Sequence, residues 1–410
     1  MKLAILSDFH LGYAQTTERA EDSFIQAGEA IQKALDEKVH AILIAGDMFD
    51  SRVPSQDVLG KAMQLFLISL TSQNQGVQIE SAIGKDAQSI PKTALNGTPV
   101  IAIHGTHERR GKGLTNAVEL LEKAGLLIHL HCNSIVLKLG DEKVAIHGMS
   151  GVPEKYARQV LETWAPRKVQ NAKNILMLHQ SVEPFIYSDE DHPTLKLGDF
   201  PQDYDLVING HIHWSETKQL GTGKFVLPGS TLITQMRKIE AEKPKGFFIY
   251  ENNELRFKEL KRQRKFYYKK LSFEDAEPNE IVKQIESEIS SLETAEPKPL
   301  VKISLAGTLK EGTSEEHLKL LRIEQEHHGK FLLSIDKGKL ESSESIKRRD
   351  LVERLRQKQL SVDDMGQELL NKHLEALECP VQNSEELFNI LAKGNPSVAY
   401  KYLKEIGGAL

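Results

Sequence analysis

The stretch Leu3-Ala4-Ile5-Leu6-Ser7-Asp8-Phe9-His10 is an apolar run that ends in two side chains of the kind that bind metal ions, Asp8 and His10. Four later runs have the same form, since each is apolar and is followed by aspartate or histidine. They are AILIA before Gly46-Asp47, VIAI before His104-Gly105-Thr106-His107, ILML before His179, and LVIN before Gly210-His211-Ile212-His213. Short apolar runs of this length are typical of buried strands. Because the ends of neighbouring parallel strands meet at one edge of a sheet, we expect these ligands to form one cluster.

Such a cluster of two aspartates and several histidines is suited to the hydrolysis of a phosphoester. Two divalent ions roughly 3.5–4 Å apart activate a bridging water and neutralise the charge that develops on the phosphoryl oxygens. Carboxylate and imidazole ligands suit Mn²⁺, Fe or Zn²⁺ better than Ca²⁺. The sequence therefore predicts a centre of two metal ions held together by a bridging carboxylate.

The composition is that of a globular chain with a charged surface. The chain has 410 residues, of which 40% are hydrophobic and 27% charged, and its formal net charge is -5. This length predicts two or three domains, and no apolar run approaches the ~20 residues that a membrane-spanning helix needs. The two cysteines, Cys132 and Cys379, have no CxxC spacing, which favours a reducing cytoplasm over a zinc–thiolate site. The first strand leads directly to Asp8, so we expect no signal peptide.

Residues 1–260 alternate between strand and helix patterns. Apolar residues recur at helical spacing over residues 18–38, and a strand follows at 39–45. This strand–helix–strand order predicts a largely parallel first sheet. Residues 71–97 are polar and have little periodicity, so we interpret them as a long surface loop or an insertion.

From Ile135 onward the strand patterns lie closer together, and we expect them, up to 246–250, to form a second and more antiparallel sheet. Two sheets packed face to face with helices outside make a four-layer α/β/β/α sandwich. Residues 263–338 predict a small α+β domain, and residues 340–410 predict a helical tail. The tail ends in two short amphipathic helices within 384–407, which either dock on the body of the protein or bind a partner.

The order and spacing of the five strand-end blocks resemble the calcineurin-like metallophosphoesterase superfamily. The blocks are Asp8-x-His10, Gly46-Asp47, Gly105-x-His107-Glu108, His179 and Gly210-His211-x-His213. A single Asp-x-His is uninformative, but five ordered blocks are specific. The resemblance implies a metallophosphoesterase sandwich over residues 1–260, followed here by the small α+β domain and the helical tail.

The resemblance also implies a role for each side chain. It implies that Asp8, His10 and His213 bind the first ion. Asp47 would bridge the two ions, and His179 and His211 would bind the second. His107 would face the scissile phosphate, stabilise its charge and protonate the leaving oxygen. His104, His131 and His147 match no ligand block, and we expect them and Glu108 to be structural.

One position departs from the superfamily pattern. The third block is Gly-Asn-His in the superfamily, and the asparagine carbonyl binds the second ion, but this chain has Thr106 at that place. We count Thr106 among the metal ligands. A hydroxyl is shorter than an amide and a poorer neutral donor, so we expect a weaker second site than asparagine would give.

Four further features resemble the DNA double-strand-break repair nucleases of the SbcD/meiotic-recombination-eleven type. They are the segments GDMFDSRVPS at 46–55, LMLHQS at 176–181, and PGST at 228–231 with EKPKGF at 242–247, and the small α+β domain in the place of a DNA-capping domain. Asp50 matches the SbcD type, since the archaeal and eukaryotic nucleases carry histidine there.

This second resemblance implies DNA as the substrate and two protein partners. The nucleases dimerise through helices of the catalytic domain, and their C-terminal helix pair grips the coiled coil of an ABC-type repair ATPase. Residues 384–407 would be that pair. We expect Arg52, Lys243 and Lys245 to contact the DNA backbone, together with the basic runs 238–245 and 261–270, although each run alone is also typical of a solvated face.

These observations predict a manganese-dependent DNA nuclease, acting as an exonuclease and single-strand endonuclease in double-strand-break repair. We expect it in the cytoplasm of a prokaryote, associated with the nucleoid. Two alternatives stay open: a phosphatase or phosphodiesterase acting on small molecules or proteins, and a weakly active scaffold subunit of a repair complex, for which Thr106 is the supporting feature.

Overall fold

A computed structural model describes residues 1–111, 113–187, 193–342, 362–376, 383–392, 394 and 396–407. The chain forms two compact units. The first contains Met1–Tyr268, Thr294–Lys302 and Lys330–Leu332, and the second contains Lys269–Glu293, Ile303–Gly329 and Leu333–Leu410. The predicted division into three domains at 260 and 340 stays a prediction.

In the described part of the chain, strands and helices alternate up to residue 103, and longer runs of strands follow up to residue 259. The strands are β1 Leu3–Leu6, β2 Ala41–Ala45, β3 Gln78–Ile83, β4 Val100–Ile103, β5 Ile128–His129, β6 Asn133–Leu139, β7 Glu142–Met149, β8 Lys173–Leu178, β9 Val182–Glu183, β10 Leu195–Lys196, β11 Leu206–Asn209, β12 Glu216–Leu220, β13 Gly223–Leu227, β14 Gly246–Glu251, β15 Glu254–Glu259, β16 Phe266–Ala276, β17 Leu300–Leu309 and β18 Leu332–Glu341. The helices are α1 Asp22–Asp36, α2 Gln56–Leu70, α3 Ala117–Lys123, α4 Glu154–Trp164, α5 Lys238–Glu242, α6 Pro278–Ser290, α7 Leu320–His327, α8 Val362–Ala376, α9 Ser384–Ala392 and α10 Pro396–Gly407.

The first sheet has the strand order β15-β14-β1-β2-β4-β5. Strands β1, β2, β4 and β5 are parallel, with Leu3 opposite Ala41 and Ile42 opposite Val100. The parallel strands place their carboxyl ends along one edge of the sheet. The predicted parallel βαβ unit is therefore confirmed.

The second sheet has the order β12-β13-β11-β8-β7-β6-β3. It is mixed, because β7, β8, β11 and β13 run parallel while β12, β6 and β3 pair antiparallel at the two sides. The expectation that 246–250 belongs to this sheet is wrong, since β14 pairs with β1 of the first sheet. Strand spacing along the chain does not reveal such a return to the first sheet.

Alternate residues of the buried strands face opposite sides of each sheet, which creates three apolar layers. Between the sheets lie residues from both, including Ile5, Leu43, Ile101, Ile146, Ile175 and Ile208. Ala4, Leu6, Ile42 and Ile44 face α1 and α2 instead, and Leu176, Leu178 and Val207 face α4. The four-layer α/β/β/α sandwich is therefore confirmed.

The prediction of a long loop at 71–97 is wrong in part, because Gln78–Ile83 forms β3 at the edge of the second sheet. Its residues are exposed or half-buried throughout, so they carry no apolar alternation. A register shift between Ile79 and Ser81 interrupts its pairing with β6, as is common at sheet edges. An edge strand that only partly buries two apolar side chains, Ile79 and Ala82, leaves little pattern in the sequence.

The second unit combines a sheet with helices. Strands β16, β17 and β18 form a sheet in that order, and α6 buries Ile281, Ile285 and Ile289 at helical spacing. In the tail, a Cβ on Gly366 of α8 would lie 2.5 Å from the Phe388 ring of α9, so these helices pack closely. The predicted helix pair is present as α9 and α10. Within the described ranges, no helix has the length and apolar character to cross a membrane.

Asp22, the first residue of α1, joins two arginines. Its Oδ2 accepts hydrogen bonds from Nε of Arg19 at 3.2 Å and from Nε of Arg264 at 2.8 Å. Arg264 also donates to the main-chain oxygens of Glu18 and Lys298. The three charged side chains are buried. Arg264, which we expected in an exposed basic run, is therefore an internal side chain of the first unit.

Candidate metal centre

The sequence-predicted ligands and His107 all lie immediately after strands of the first unit. Asp8 and His10 follow β1, Asp47 follows β2, Thr106 and His107 follow β4, His179 follows β8, and His211 and His213 follow β11. Strands β1, β2 and β4 are parallel neighbours in one sheet, and β8 and β11 are parallel neighbours in the other. The carboxyl ends of strands from both sheets therefore supply the site.

Six of these side chains form two groups, and within each group the potential ligand atoms lie within 4.8 Å of one another. The first group consists of Asp8, His10 and His213, and the second of Asp47, His179 and His211. The groups adjoin, because Oδ2 of Asp8 accepts a hydrogen bond of 3.2 Å from the main-chain N–H of His211. The structure thus brings all six predicted ligands together.

The short distances within the groups join atoms that carry lone pairs. Nε2 of His10 lies 3.1 Å from Nε2 of His213, which lies 3.7 Å from Oδ1 of Asp8. In the second group, Nε2 of His179 lies 3.1 Å from Oδ2 of Asp47.

Four of the six have left-handed backbone conformations. The φ angles are 52° at Asp8, 48° at His10, 45° at Asp47 and 77° at His211. Such conformations are unfavourable for residues other than glycine, although aspartate and histidine tolerate them better than most, and they concentrate at functional sites. The chain turns sharply after each strand, which directs the side chains into a common centre.

Glycines beside the ligands leave the space that the side chains occupy. A Cβ at Gly46 would lie 2.4 Å from Nδ1 of His179, and one at Gly210 would lie 2.6 Å from the same atom. A Cβ at Gly105 would lie 2.1 Å from Oδ1 of Asp47. At three of the five ligand blocks, close approach of a ligand from another strand therefore requires the glycine that begins the block.

Each imidazole at the site has one ring nitrogen hydrogen-bonded to a protein oxygen. The pairs are His10 Nδ1 with Asp50 Oδ1 at 3.1 Å, His107 Nδ1 with Asp50 O at 2.7 Å, His179 Nδ1 with Ala45 O at 2.7 Å, His211 Nε2 with Ser181 Oγ at 3.1 Å, and His213 Nδ1 with Thr234 Oγ1 at 2.7 Å. Assigning the N–H to that nitrogen leaves a lone pair on the other one, as metal-binding imidazoles require.

This donor set fits divalent ions. With their Nδ1–H groups given to Asp50 and Thr234, His10 and His213 direct two Nε2 lone pairs at each other. Oδ1 of Asp8 and Nε2 of His179 are buried and have no hydrogen-bond partner among the described residues. A cation between these atoms would account both for the lone pairs that face each other and for the buried lone-pair atoms that have no hydrogen-bond partner.

The charges of the site shift its pKa values strongly. Burial disfavours the ionised Asp47, but His179 and His10 outweigh it and hold the pKa of Asp47 well below its usual range. Burial also disfavours the charged form of His179, yet Asp47 raises the pKa of His179 to about 10. Burial raises the pKa of Asp8 to about 6, and nearby Asp47 adds to the rise. The centre therefore attracts positive charge.

A profile of the family described as calcineurin-like phosphoesterase matches residues 1–215, which are just over half of the chain. The chain belongs to the calcineurin-like phosphoesterase family. The matched span includes both ligand groups and His107.

Curated relatives of this phosphoesterase confirm the second resemblance at the level of sequence. The chain is 26% identical to "Double-strand break repair protein mre-11" of Caenorhabditis elegans, over 61% of this chain and 39% of the relative. It is 24% identical to "DNA double-strand break repair protein Mre11" of Methanococcus maripaludis, over 77% and 81%. The match to the animal relative thus covers about two fifths of that protein's length. A putative 5'-nucleotidase from Staphylococcus aureus is 14% identical, with a TM-score of 0.38 over 63% of this chain and 52% of that chain.

His107, the predicted catalytic residue of this phosphoesterase, lies at the open side of the site. Its side chain is 42% exposed, and its Nε2 is 4.0 Å from Oδ2 of Asp47. Its main-chain N–H donates to Oδ1 of Asp47 at 2.9 Å. The imidazole can therefore reach a bound phosphate from solvent while the main chain of the same residue orients Asp47.

Glu108 holds the loops of two blocks together. Its oxygens accept hydrogen bonds from the main-chain N–H groups of Phe49 at 2.7 Å and Gly105 at 2.8 Å, and the side chain is fully buried. Burial raises the pKa of Glu108 to about 8, and Asp47 adds to the rise. These contacts match the structural role that we expected for this residue.

Thr106 directs its hydroxyl at the second group. Its Oγ1 donates to Oδ2 of Asp47 at 3.3 Å, the oxygen that also lies beside Nε2 of His179. The hydroxyl thus lies beside the carboxylate of the second group. Thr106 as a metal ligand stays a prediction.

The histidines that matched no ligand block have protein partners. Nδ1 of His104 lies 3.0 Å from Nε2 of His129, and His147 contacts Ser134 at 2.8 Å and Asn174 at 3.1 Å. None of them belongs to a group of potential metal ligands in the described ranges. The geometry of His104 and His147 is that of core imidazoles, whereas His131 is exposed.

The structure excludes one predicted DNA contact. Lys245 is 3% exposed, and its Nζ donates to the carbonyl of His213, the hydroxyl of Ser230 and Oε1 of Glu240, each within 2.8 Å. All three N–H bonds of the ammonium are therefore used inside the protein. The prediction for Lys245 is wrong, because its place in a basic run does not reveal this buried pair.

Two other predicted DNA contacts remain accessible to different degrees. Arg52 is exposed and has no ion pair within the described part of the chain. Lys243 is half-buried and pairs with Glu216 at 2.6 Å. Of the three, Arg52 is the side chain that is freest to meet a phosphate.

Sequence reasoning missed the residues that orient the ligands. They are Ala45 through its carbonyl, Asp50, Ser181, Thr234 and Tyr187, whose hydroxyl donates to the carbonyl of His211 and accepts from the N–H of His213. Asp50 and Ser181 lie close in sequence to the ligands Asp47 and His179, and this closeness was a signal that could have identified them. The sequence around Thr234 and Tyr187 contained no such signal.

Proposed function

We propose that this chain is a metal-dependent DNA nuclease that acts in double-strand-break repair. The observation that carries the proposal is the convergence of two adjoining ligand groups beside a solvent-accessible His107. The similarity to repair proteins of animals and archaea supports DNA as the substrate.

Two divalent ions, most suitably Mn²⁺, would be held by Asp8, His10 and His213 and by Asp47, His179, His211 and Thr106. When bound, they would supply an activated water and neutralise charge on the phosphate. Asp47 lies in the second group and interacts electrostatically with Asp8 and His10 of the first. We propose it as the bridging ligand.

The protein side chains would position the phosphodiester and complete proton transfer. His107 is oriented by its Nδ1–H bond to the Asp50 carbonyl, so its Nε2 faces the centre. In its protonated form, Nε2–H would stabilise charge on the phosphate and donate the proton to the leaving oxygen. Arg52, on the exposed loop after β2, would contact a neighbouring backbone phosphate.

The remaining parts of the proposal concern assembly. Exonuclease and single-strand endonuclease activities would share this one centre. The tail presents exposed apolar side chains on α9 and α10, including Leu391, Val398 and Leu403, which suit the coiled coil of an ABC-type ATPase. Exposed Ile25 and Leu67 on α1 and α2 suit a homodimer contact. We propose a location on the nucleoid of a prokaryotic cytoplasm.

Incubation of linear and hairpin DNA with the purified protein and Mn²⁺ or Mg²⁺ tests the proposal. We expect cleavage by the wild type and a loss of about 10²-fold or more with His107→Ala, as for removal of a general acid. His131→Ala is the matched control, because His131 lies outside the ligand groups.

Each rival function has its own outcome in the same experiment. Hydrolysis of a mononucleotide phosphoester without cleavage of any DNA would replace the nuclease by a phosphatase or phosphodiesterase. Formation of a complex with the ATPase by an ion-free, inactive protein would favour the scaffold subunit. Cleavage of DNA by His107→Ala at the wild-type rate would remove His107 from the mechanism.

A further inference from the structure

Glu154, the first residue of α4, lies beside the second ligand group. Its Oε1 accepts a hydrogen bond of 3.0 Å from the main-chain N–H of Ser181, two residues after His179. Its Oε2 is buried and has no hydrogen-bond partner among the described residues. Burying a carboxylate oxygen without a partner is unfavourable, so the position of Glu154 calls for a compensating interaction.

Ser181 connects this carboxylate with a ligand. The Ser181 hydroxyl lies 3.1 Å from Nε2 of His211. Burial raises the pKa of Glu154, while the N–H and hydroxyl of Ser181 and the nearby His179 oppose that rise. The Glu154 carboxylate therefore faces both the hydroxyl that touches His211 and the charge of a second ligand.

The direction of these hydrogen bonds follows if His211 is to bind a metal ion through Nδ1. If Nε2–H of His211 donates to Ser181 Oγ, Nδ1 keeps its lone pair for the second group. The Ser181 hydroxyl is then free to donate its own proton to Glu154. An imidazole supported in this way by a hydroxyl and a carboxylate is held in one orientation and is a stronger ligand.

The two groups differ in the residues that support their imidazoles. In the first group, a carboxylate supports His10 directly, since Asp50 accepts its Nδ1–H. In the second group, the carbonyl of Ala45 supports His179, and Thr106 replaces an amide donor by a hydroxyl. Among the described residues, Glu154 is therefore the carboxylate that can support an imidazole of the second group through an intervening hydroxyl.

We propose that Glu154, acting through Ser181, is a positioning residue of the second metal site, which orients His211 and offsets the weak donor Thr106. This inference rests on the proposed two-metal centre. It assigns the SbcD-like LMLHQS segment a part in metal binding beyond His179, through its last residue.

Calorimetric titration of the full chain with Mn²⁺ tests the inference. We expect two binding phases for the wild type. Glu154→Gln, which keeps the shape and removes the charge, should weaken one phase by about 10–100-fold and leave the other unchanged. Ser181→Ala should weaken the same phase. Glu162→Gln, which removes an exposed charge from the same helix, is the matched control and should leave both phases unchanged.

Thermal unfolding of the ion-free proteins separates positioning from a structural role. We expect the ion-free Glu154→Gln protein to unfold at the wild-type temperature. Two unchanged phases with a lowered unfolding temperature would overturn the inference, because Glu154 would then only stabilise the start of α4. If Glu154→Gln does not fold, the Ser181→Ala titration decides.

The wild-type titration separates failure of this inference from failure of the metal centre. Two ions in the wild type and in both variants, with unchanged affinities, would overturn the role of Glu154 alone. Fewer than two ions in the wild type would overturn the centre itself and the inference with it.

Discussion

The main-chain carbonyl of Asp50 accepts a hydrogen bond of 2.7 Å from Nδ1 of His107. The carboxylate of the same residue accepts one of 3.1 Å from Nδ1 of His10. One residue therefore orients both a ligand of the first group and the proposed proton donor. The first contact needs only the main chain, whereas the second needs the side chain, so substitution can separate them.

Asp50→Ala should weaken Mn²⁺ binding at the first site by about 10–100-fold, because His10 loses the acceptor that fixes its ring. Asp50→Asn keeps an oxygen for that hydrogen bond and should bind more tightly than the alanine variant. Calorimetric titration measures both. Equal affinities for the wild type and Asp50→Ala would mean that the His10–Asp50 contact does not support metal binding.

Thr106→Asn should tighten Mn²⁺ binding at the second site by about tenfold, or ~1.4 kcal/mol. The reason is that an amide oxygen is a longer and better neutral donor than the hydroxyl that now lies 3.3 Å from Asp47. The same titration measures the change. An unchanged affinity would show that residue 106 does not contact the ion, and Thr106→Ala should then also be without effect.

Lys245→Ala should destabilise the protein by about 3–5 kcal/mol, because it leaves Glu240 buried without its ammonium partner. Denaturant unfolding measures this effect. Normal stability of Lys245→Ala would contradict the buried pair.

Arg52→Ala should change stability by less than about 0.5 kcal/mol, since Arg52 is exposed. Instead, it should weaken DNA binding and reduce the slope of log affinity against log salt concentration by about one. DNA titrations at several salt concentrations measure this effect.

Lowering the pH should destabilise the wild type relative to His147→Gln. Burial lowers the pKa of His147, so below its ordinary value of about 6.5 the unfolded chain binds a proton that the folded chain does not. The stability that His147 contributes is therefore present above pH 6.5 and is lost as the pH falls, at up to about 1.4 kcal/mol per pH unit. Urea unfolding of both proteins between pH 5 and 8 measures the difference. A constant difference across this range would show that His147 titrates alike in the folded and unfolded chains, which would contradict the lowered pKa.

The sequence predicted the strands that carry the site and the ligands at their ends. A buried strand is a continuous apolar run, and a ligand after it interrupts that run visibly, as at Asp8, Asp47 and His179. The glycines at 46, 105 and 210 added a second local signal, because each makes room for a neighbouring ligand. Local pattern was therefore sufficient to locate the six proposed ligands and the layers that carry them.

Features that depend on contacts between distant segments were not predictable in this way. The edge strand β3 only partly buries Ile79 and Ala82, so little in its composition distinguishes it from a loop. Lys245 and Arg264 belonged to basic runs, and their contacts with the carbonyl of His213 and with Asp22, both far away in the sequence, make them internal. Thr234 contacts His213 across 21 residues of chain, a relationship that no periodicity encodes.

The hydrogen bonds of Arg19 and Arg264 to Asp22 determine where a shortened form of the chain can end. A fragment ending at residue 260 would retain every proposed ligand, yet it would lack Arg264 and leave Asp22 with Arg19 alone. A fragment ending after Lys302 would keep Arg264 together with the Lys298 carbonyl that it also binds. Biochemists who wish to isolate the part of the chain that carries the proposed metal centre should therefore choose the longer fragment, because the shorter one leaves the buried carboxylate at the start of α1 with one arginine instead of two.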